Sequence, residues 1–163
     1  MSNSSAACKV AVVGIGNLLL HDEGLGVHAV RRLEDAAQRK NVTYVDGGTD
    51  PWAAFSQVED CEVVLVLDAI LGGGEPGDTY KMSLQEVEAG SAVLSLHGVT
   101  MFHLLQYEAL VGNRFEEVLV LGMEPESVEP GIGLSGRCEQ SMPEFLEAVV
   151  SEIDGVQQRL AAY

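Results

Sequence analysis

The feature that most constrains this chain is Val63-Val64-Leu65-Val66-Leu67, an unbroken apolar run, β-branched at three of its five positions and ended by Asp68. A strand without polar alternation has no face to give to water, so it belongs inside a parallel sheet covered on both sides. The rest of the chain supplies the matching parts. Lys9 to Val13 is a second short apolar run, stopping at the turn signal Gly14-Ile15-Gly16-Asn17. From Asp22 onward, Leu25, Ala29, Val30, Leu33 and Ala37 recur at helical spacing with charged residues between them. Val42 to Val45 reads as a strand ending at Asp46-Gly47-Gly48, followed by a short helix over Pro51 to Val58 with Asp50 as its N-cap. A shorter strand over Thr79 to Met82, a helix over Val99 to Val111, a last core strand over Val118 to Leu121 and a long closing helix from Met142 to Leu160 complete the order. Met123 to Gly136, with two Pro-containing turns, is expected to be an ordered loop or lid. The class predicted is α/β: a three-layer αβα sandwich around a twisted, mostly parallel sheet of about five strands, with sites gathered at the C-terminal edges of the strands.

A chain of 163 residues fits a single domain over 1–163, and the first seven residues, small and polar, are expected to be flexible. With 9 Lys+Arg against 25 Asp+Glu and a net charge of -16, no cationic stripe is available for phosphates, which excludes a nucleic-acid partner and disfavours an anionic membrane. Cys8, Cys61 and Cys138 are odd in number and widely spaced, a pattern of neither a disulfide framework nor a zinc knuckle. No apolar run approaches a membrane span, and Met1 to Ala7 lacks the regions of a signal peptide. A reducing cytoplasm is the expected location.

Gly14-x-Gly16 after a strand invites a dinucleotide reading, but Leu19 stands where the third glycine of the fingerprint belongs. Asp22-Glu23 also place negative charge where a pyrophosphate would have to sit. For Asp22 the expected role is structural, complementing the helix dipole and capping free N–H groups. Glu23 differs in its company. Asp68 closes the central strand and His97 follows another apolar segment, Ala92-Val93-Leu94. Two carboxylates and an imidazole at one sheet edge would suit a borderline divalent metal with coordination positions left for water or substrate. His21, His28 and His103 are assigned structural roles, although His21 is placed to reach the same cleft. Gly-x-Ser-x-Gly and His-Glu-x-x-His are both absent, which argues against stored-serine and zinc-helix mechanisms.

Five blocks carry a family resemblance: Gly14-Ile15-Gly16-Asn17-Leu18-Leu19 with Asp22-Glu23-Gly24-x-Gly26-Val27; Asp46-Gly47-Gly48-Thr49; Asp68-Ala69-Ile70; Ser95-x-His97; and Gly122-x-x-Pro125-Glu126-Ser127-x-Glu129-Pro130-Gly131-Ile132-Gly133-Leu134-Ser135. In this order, from about Val10 to Ser135, the chain resembles the hydrogenase maturation endopeptidases, which process [NiFe]-hydrogenase large subunits. The resemblance implies a nickel-dependent, aspartic-type peptidase whose metal-contacting residues fall on Glu23, Asp68 and His97. Asp46 falls on a further acidic position near the cleft, so the general base is Glu23, Asp68 or Asp46. Where some members carry Pro-His-Gln, this chain has Leu96-His97-Gly98. The implied substrate is a large-subunit precursor with its metal centre already inserted, so the nickel arrives with the substrate and the three ligands act as its sensor. The implied cut removes a C-terminal extension, and the protein is expected to act as a monomer. A nonenzymatic nickel-responsive chaperone of the large subunit is the alternative, and a nucleotide-binding α/β enzyme a more distant one.

Overall fold

The structure, a computed structural model, describes residues 9–36, 38–84, 86, 94–95, 107, 110–112 and 114–162. The elements in chain order are β1 (Val10–Ile15), a 3-10 turn (His21–Gly24), α1 (Leu25–Ala36), β2 (Val42–Gly48), α2 (Pro51–Ser56), β3 (Val63–Leu71), β4 (Thr79–Ser83), β5 (Leu94–Ser95), β6 (Glu117–Met123) and α3 (Gly136–Ala161). The main sheet has the order β2-β1-β3-β6-β4. Its first four strands are parallel, and β4 closes one edge antiparallel to β6. The two-residue β5 pairs antiparallel with the end of β3, Ser95 opposite Ile70 and Leu94 opposite Leu71.

The apolar runs divide their side chains between two cores, as the pleat requires. Val10 and Val12 of β1 and Val63, Leu65, Leu67 and Ala69 of β3 face α1 and α3, where they meet Leu25, Val30, Met142, Phe145 and Ile153. The alternate residues Ala11, Val13, Val64, Val66 and Ile70 face Phe55, Val58, Tyr107 and Phe115. This is the three-layer sandwich expected, with five strands in the main path. Asp50 accepts from the Ala53 N–H at 3.0 Å as the N-cap of α2, with Pro51 in the first turn.

Several boundaries move in ways that matter for the site. The strand expected to close at Asp68 runs on to Leu71, because β6 and β5 continue to pair with it. Asp68 is therefore inside a strand. The helix expected from Asp22 begins at Leu25, after the separate 3-10 turn. The closing helix begins at Gly136, capped by the Ser135 hydroxyl on the Cys138 N–H. Of the helix expected over Val99 to Val111, Tyr107, Leu110 and Val111 fall among the described residues, and all three are helical.

The cysteine expectation is corrected. Cys138 is a buried free thiol, but Cys61 is disulfide-bonded, to a partner outside the described residues. Val10 pairs with Val63, and the Lys9 carbonyl accepts from the Glu62 and Val63 N–H groups, so the stretches entering β1 and β3 run side by side.

Candidate functional site

The site is built from backbone approaches that glycine alone permits. Gly14 and Gly16 bring the end of β1 against the turn that carries Glu23: a Cβ on Gly14 would lie 2.1 Å from the Gly26 carbonyl oxygen, and one on Gly16 the same distance from that of Glu23. Gly16 also has φ +152°, at the edge of the region open chiefly to glycine. Gly26 in turn lets α1 rest on the sheet, since a Cβ there would sit 2.0 Å from the Leu67 carbonyl oxygen and 2.4 Å from that of Ile15. Asn17 N–H donates to the Glu23 carbonyl at 3.2 Å. The Gly-x-Gly turn is thus occupied by the protein's own backbone, in the place where a pyrophosphate would have to lie.

This packing sets Glu23, half-buried, at the sheet edge where Leu67 leads into Asp68. Asp68 is 1% exposed, with Oδ1 accepting from the Ala69 N–H at 2.8 Å. Its alternation in β3 turns it to the face of Val66 and Ile70. His97 lies outside the described residues. Ser95, two residues before it in sequence, pairs with Ile70, two residues after Asp68. Among the described residues no three His, Cys, Asp or Glu side chains group as a metal-binding set. The donor chemistry of Glu23 and Asp68, two carboxylates, suits a divalent ion.

Asp46 is placed differently. In the sheet, Gly14 pairs with Asp46 on one side and Leu67 on the other. Asp46 is thus roughly 10 Å from the β3 backbone, two strand spacings away. Its carboxylate accepts from Arg31 of α1 at 2.6 Å and from the Gly48 N–H at 3.1 Å. Arg31 lies on the α1 side of the sheet, whereas Asp68 alternates to the other side, so Asp46 is engaged away from Asp68, while the turn that carries Glu23 packs on β3.

Asp22 is the largest surprise. It does not cap its own turn, which has no side-chain cap. Fully buried, it accepts through Oδ2 from the Glu126 and Ser127 N–H groups, both at 2.9 Å, and through Oδ1 from the Ser135 N–H at 2.7 Å. Burial pushes its carboxyl up, but these donors together outweigh it and hold the group below the usual carboxylate range. The expected lid is therefore tied to the residue next to Glu23. The same loop is bonded again where the Leu19 carbonyl accepts from Gly131 N–H at 2.8 Å and the Gly131 carbonyl from His21 N–H at 3.0 Å. His21 itself is structural: its Nδ1 pairs with the Gly133 carbonyl at 2.9 Å.

Glu124 was missed from sequence. Buried at the end of β6, its Oε2 accepts from Gly72 N–H at 2.6 Å and from the Tyr80 hydroxyl at 2.7 Å, bracing the chain where it leaves β3 beyond Asp68. The signal available for both acids was indirect. A Pro- and Gly-rich loop without periodicity leaves backbone N–H groups needing acceptors, and sequence does not say which carboxylate provides them.

The family described as HycI, hydrogenase maturation protease, matches the chain over residues 27–152. That span contains Asp46, Asp68 and His97; Glu23 precedes it. The chain is 33% identical over 124 residues to the hydrogenase expression/formation protein HupD of Thiocapsa roseopersicina, covering 74% of this chain and 56% of that one. It is 29% identical over 148 residues to the hydrogenase 2 maturation protease of Escherichia coli strain K12, covering 89% and 90%. Among solved structures, the hydrogenase maturating endopeptidase HybD from E. coli superposes with a TM-score of 0.78 at 28% identity, over 90% of this chain and 93% of that one. The chain thus spans just over half the length of the first relative and nearly the whole of the other two. With the fold and the family match over most of its length in agreement, the chain belongs to the hydrogenase maturation protease family.

Proposed function

We propose that this protein is an endopeptidase that removes the C-terminal extension of a [NiFe]-hydrogenase large-subunit precursor already loaded with nickel. What supports the reading is membership of a maturation protease family, together with two carboxylates, Glu23 and the buried Asp68, carried by a turn and a strand that pack on each other. The nickel is part of the substrate. Glu23 and Asp68 grip it as it enters, with His97 as the third ligand, so a precursor without metal leaves the catalytic site incomplete. Once gripped, the ion draws electron density from the scissile carbonyl or from a water, and a carboxylate of the site takes the proton released. Glu23 and Asp68 are the nearer bases; Asp46, held by Arg31, becomes available as a base only when that pair opens.

We infer that the reaction occurs in the cytoplasm, on a monomer of one domain. No described helix is long and apolar enough to cross a membrane.

The test is an intact-mass assay on metal-loaded and metal-free precursor side by side. Loss of a C-terminal peptide from the loaded form alone is expected, and Glu23→Gln, Asp68→Asn and His97→Ala should each abolish or severely slow it without loss of fold. A bound precursor of unchanged mass would replace the peptidase with the nickel-responsive chaperone. Normal turnover in two of the three variants would remove the metal-gripping role.

A further inference from the structure

Among the described residues five large aliphatic side chains are exposed: Leu19, Leu71, Leu110, Val128 and Ile132. Leu71 ends β3, and Leu19, Val128 and Ile132 sit on the two segments joined above Glu23, so four of the five border the sheet edge that carries Glu23 and Asp68.

Leu19 is 64% exposed and Ile132 75%, yet neither stands on a segment free to tuck it away. The Leu19 N–H is held by Asn17 Oδ1 at 3.0 Å and its carbonyl by Gly131 N–H, the residue before Ile132. The far ends of the Ile132 loop are fixed by the Asp22 carboxylate through Glu126, Ser127 and Ser135. Leu19 and Ile132 flank the bridged pair Leu20 and Gly131, so two exposed aliphatic side chains stand on adjoining segments, and apolar side chains grouped in this way mark a contact surface. The charge around them selects the partner. Glu126 and Glu129, both exposed, alternate with Val128 and Ile132 in a chain of net charge -16.

We propose that Leu19, Val128 and Ile132, with Glu126 and Glu129, form the docking face for a segment of the precursor in which aliphatic side chains are flanked by Lys or Arg. This rests on the peptidase reading and adds to it the means by which the scissile segment is aligned. Leu19 lies four residues before Glu23, so a segment lying across Leu19 and Ile132 delivers its neighbouring residues to the metal-gripping edge.

The experiment measures KM and kcat for processing of nickel-loaded precursor, and Kd for the same precursor by surface plasmon resonance, at low and high salt. Leu19→Asp and Ile132→Asp are each expected to raise KM and Kd about tenfold, the loss typical of one interface anchor, with kcat within about twofold. Leu19→Ser repeats the first test without adding charge near Glu23. The double variant Glu126→Lys/Glu129→Lys should raise KM at low salt and flatten its salt dependence. Leu110→Asp, on an equally exposed leucine away from this edge, is the control and should change neither constant. KM and Kd within about twofold of wild type in Leu19→Asp and Ile132→Asp, in protein shown folded by circular dichroism, would overturn the docking face. If wild type binds precursor without cutting it, the peptidase reading fails by itself, and the Kd values still decide the docking face.

Discussion

The Asp22 anchor makes a sharp quantitative prediction. Asp22→Asn preserves shape but supplies one acceptor oxygen where the carboxylate has two. The amide oxygen can face the Glu126 and Ser127 N–H groups or the Ser135 N–H, and the NH2 then points at the donor left over. One hydrogen bond to a charged group is lost, at roughly 1.5–3 kcal/mol, and two others fall from charged to neutral strength, at roughly 1 kcal/mol each, a total of about 3.5–5 kcal/mol. With a urea m-value of about 2 kcal/mol/M the unfolding midpoint at neutral pH should drop by about 2 M with m unchanged. Native-state hydrogen exchange should accelerate at the amides of residues 126, 127 and 135 before it does in β3. The pH dependence has a fixed sign. Because the folded carboxyl titrates below its ordinary value of 3.8, its stabilisation is complete above that value and is lost as pH falls through the lowered folded value. The gap between wild type and variant should therefore close in acid. A midpoint shift under about 0.3 M, within the uncertainty of such measurements, with unchanged exchange at the three amides would refute the anchor.

Two further predictions concern packing and burial. Gly26→Ala should cost about 3 kcal/mol or more in thermal unfolding, because its Cβ meets the Leu67 and Ile15 carbonyl oxygens, which belong to the sheet and cannot rotate away; Gly136→Ala, with open space around it, should be neutral or slightly stabilising, and similar melting temperatures for the two would sink this account. His28 is held below its ordinary value of 6.5 by burial and then by the Arg32 charge, and its buried Nε2 has no hydrogen-bond partner among the described residues. The folded state thus prefers the neutral ring, and its stability is full above pH 6.5 and falls as pH drops through the lowered folded value. In His28→Leu the urea midpoint should decline less between pH 7 and 5, and parallel profiles for the two proteins would exclude His28 as a source of the decline.

The sheet and its layers were legible because their cause is local. Val63 to Leu67 and Val118 to Leu121 lack polar alternation, and no arrangement except a doubly covered strand satisfies that pattern. The helical spacing of Leu25, Ala29, Val30 and Leu33 and the Asp50-Pro51 start of α2 are likewise short-range signals. The end of β3 was not legible, since residues 69–71 stay in the strand through pairing with β6 and β5, partners remote in sequence.

For the site, sequence by itself nominated Glu23, Asp68 and His97, chemically apt metal ligands each next to a signal for a strand or helix end. Tertiary structure alone decided what their neighbours do. Asp22 and Asp46 look like a cap and a cleft acid in one dimension. In the fold the first is buried against backbone N–H groups from residues more than a hundred positions away, and the second is claimed by Arg31 on the face of the sheet opposite Asp68. The physical reason is that burial and partner choice, which set what a carboxylate can do, depend on contacts between segments distant along the chain, whereas periodicity and turn chemistry depend on residues only a few positions apart.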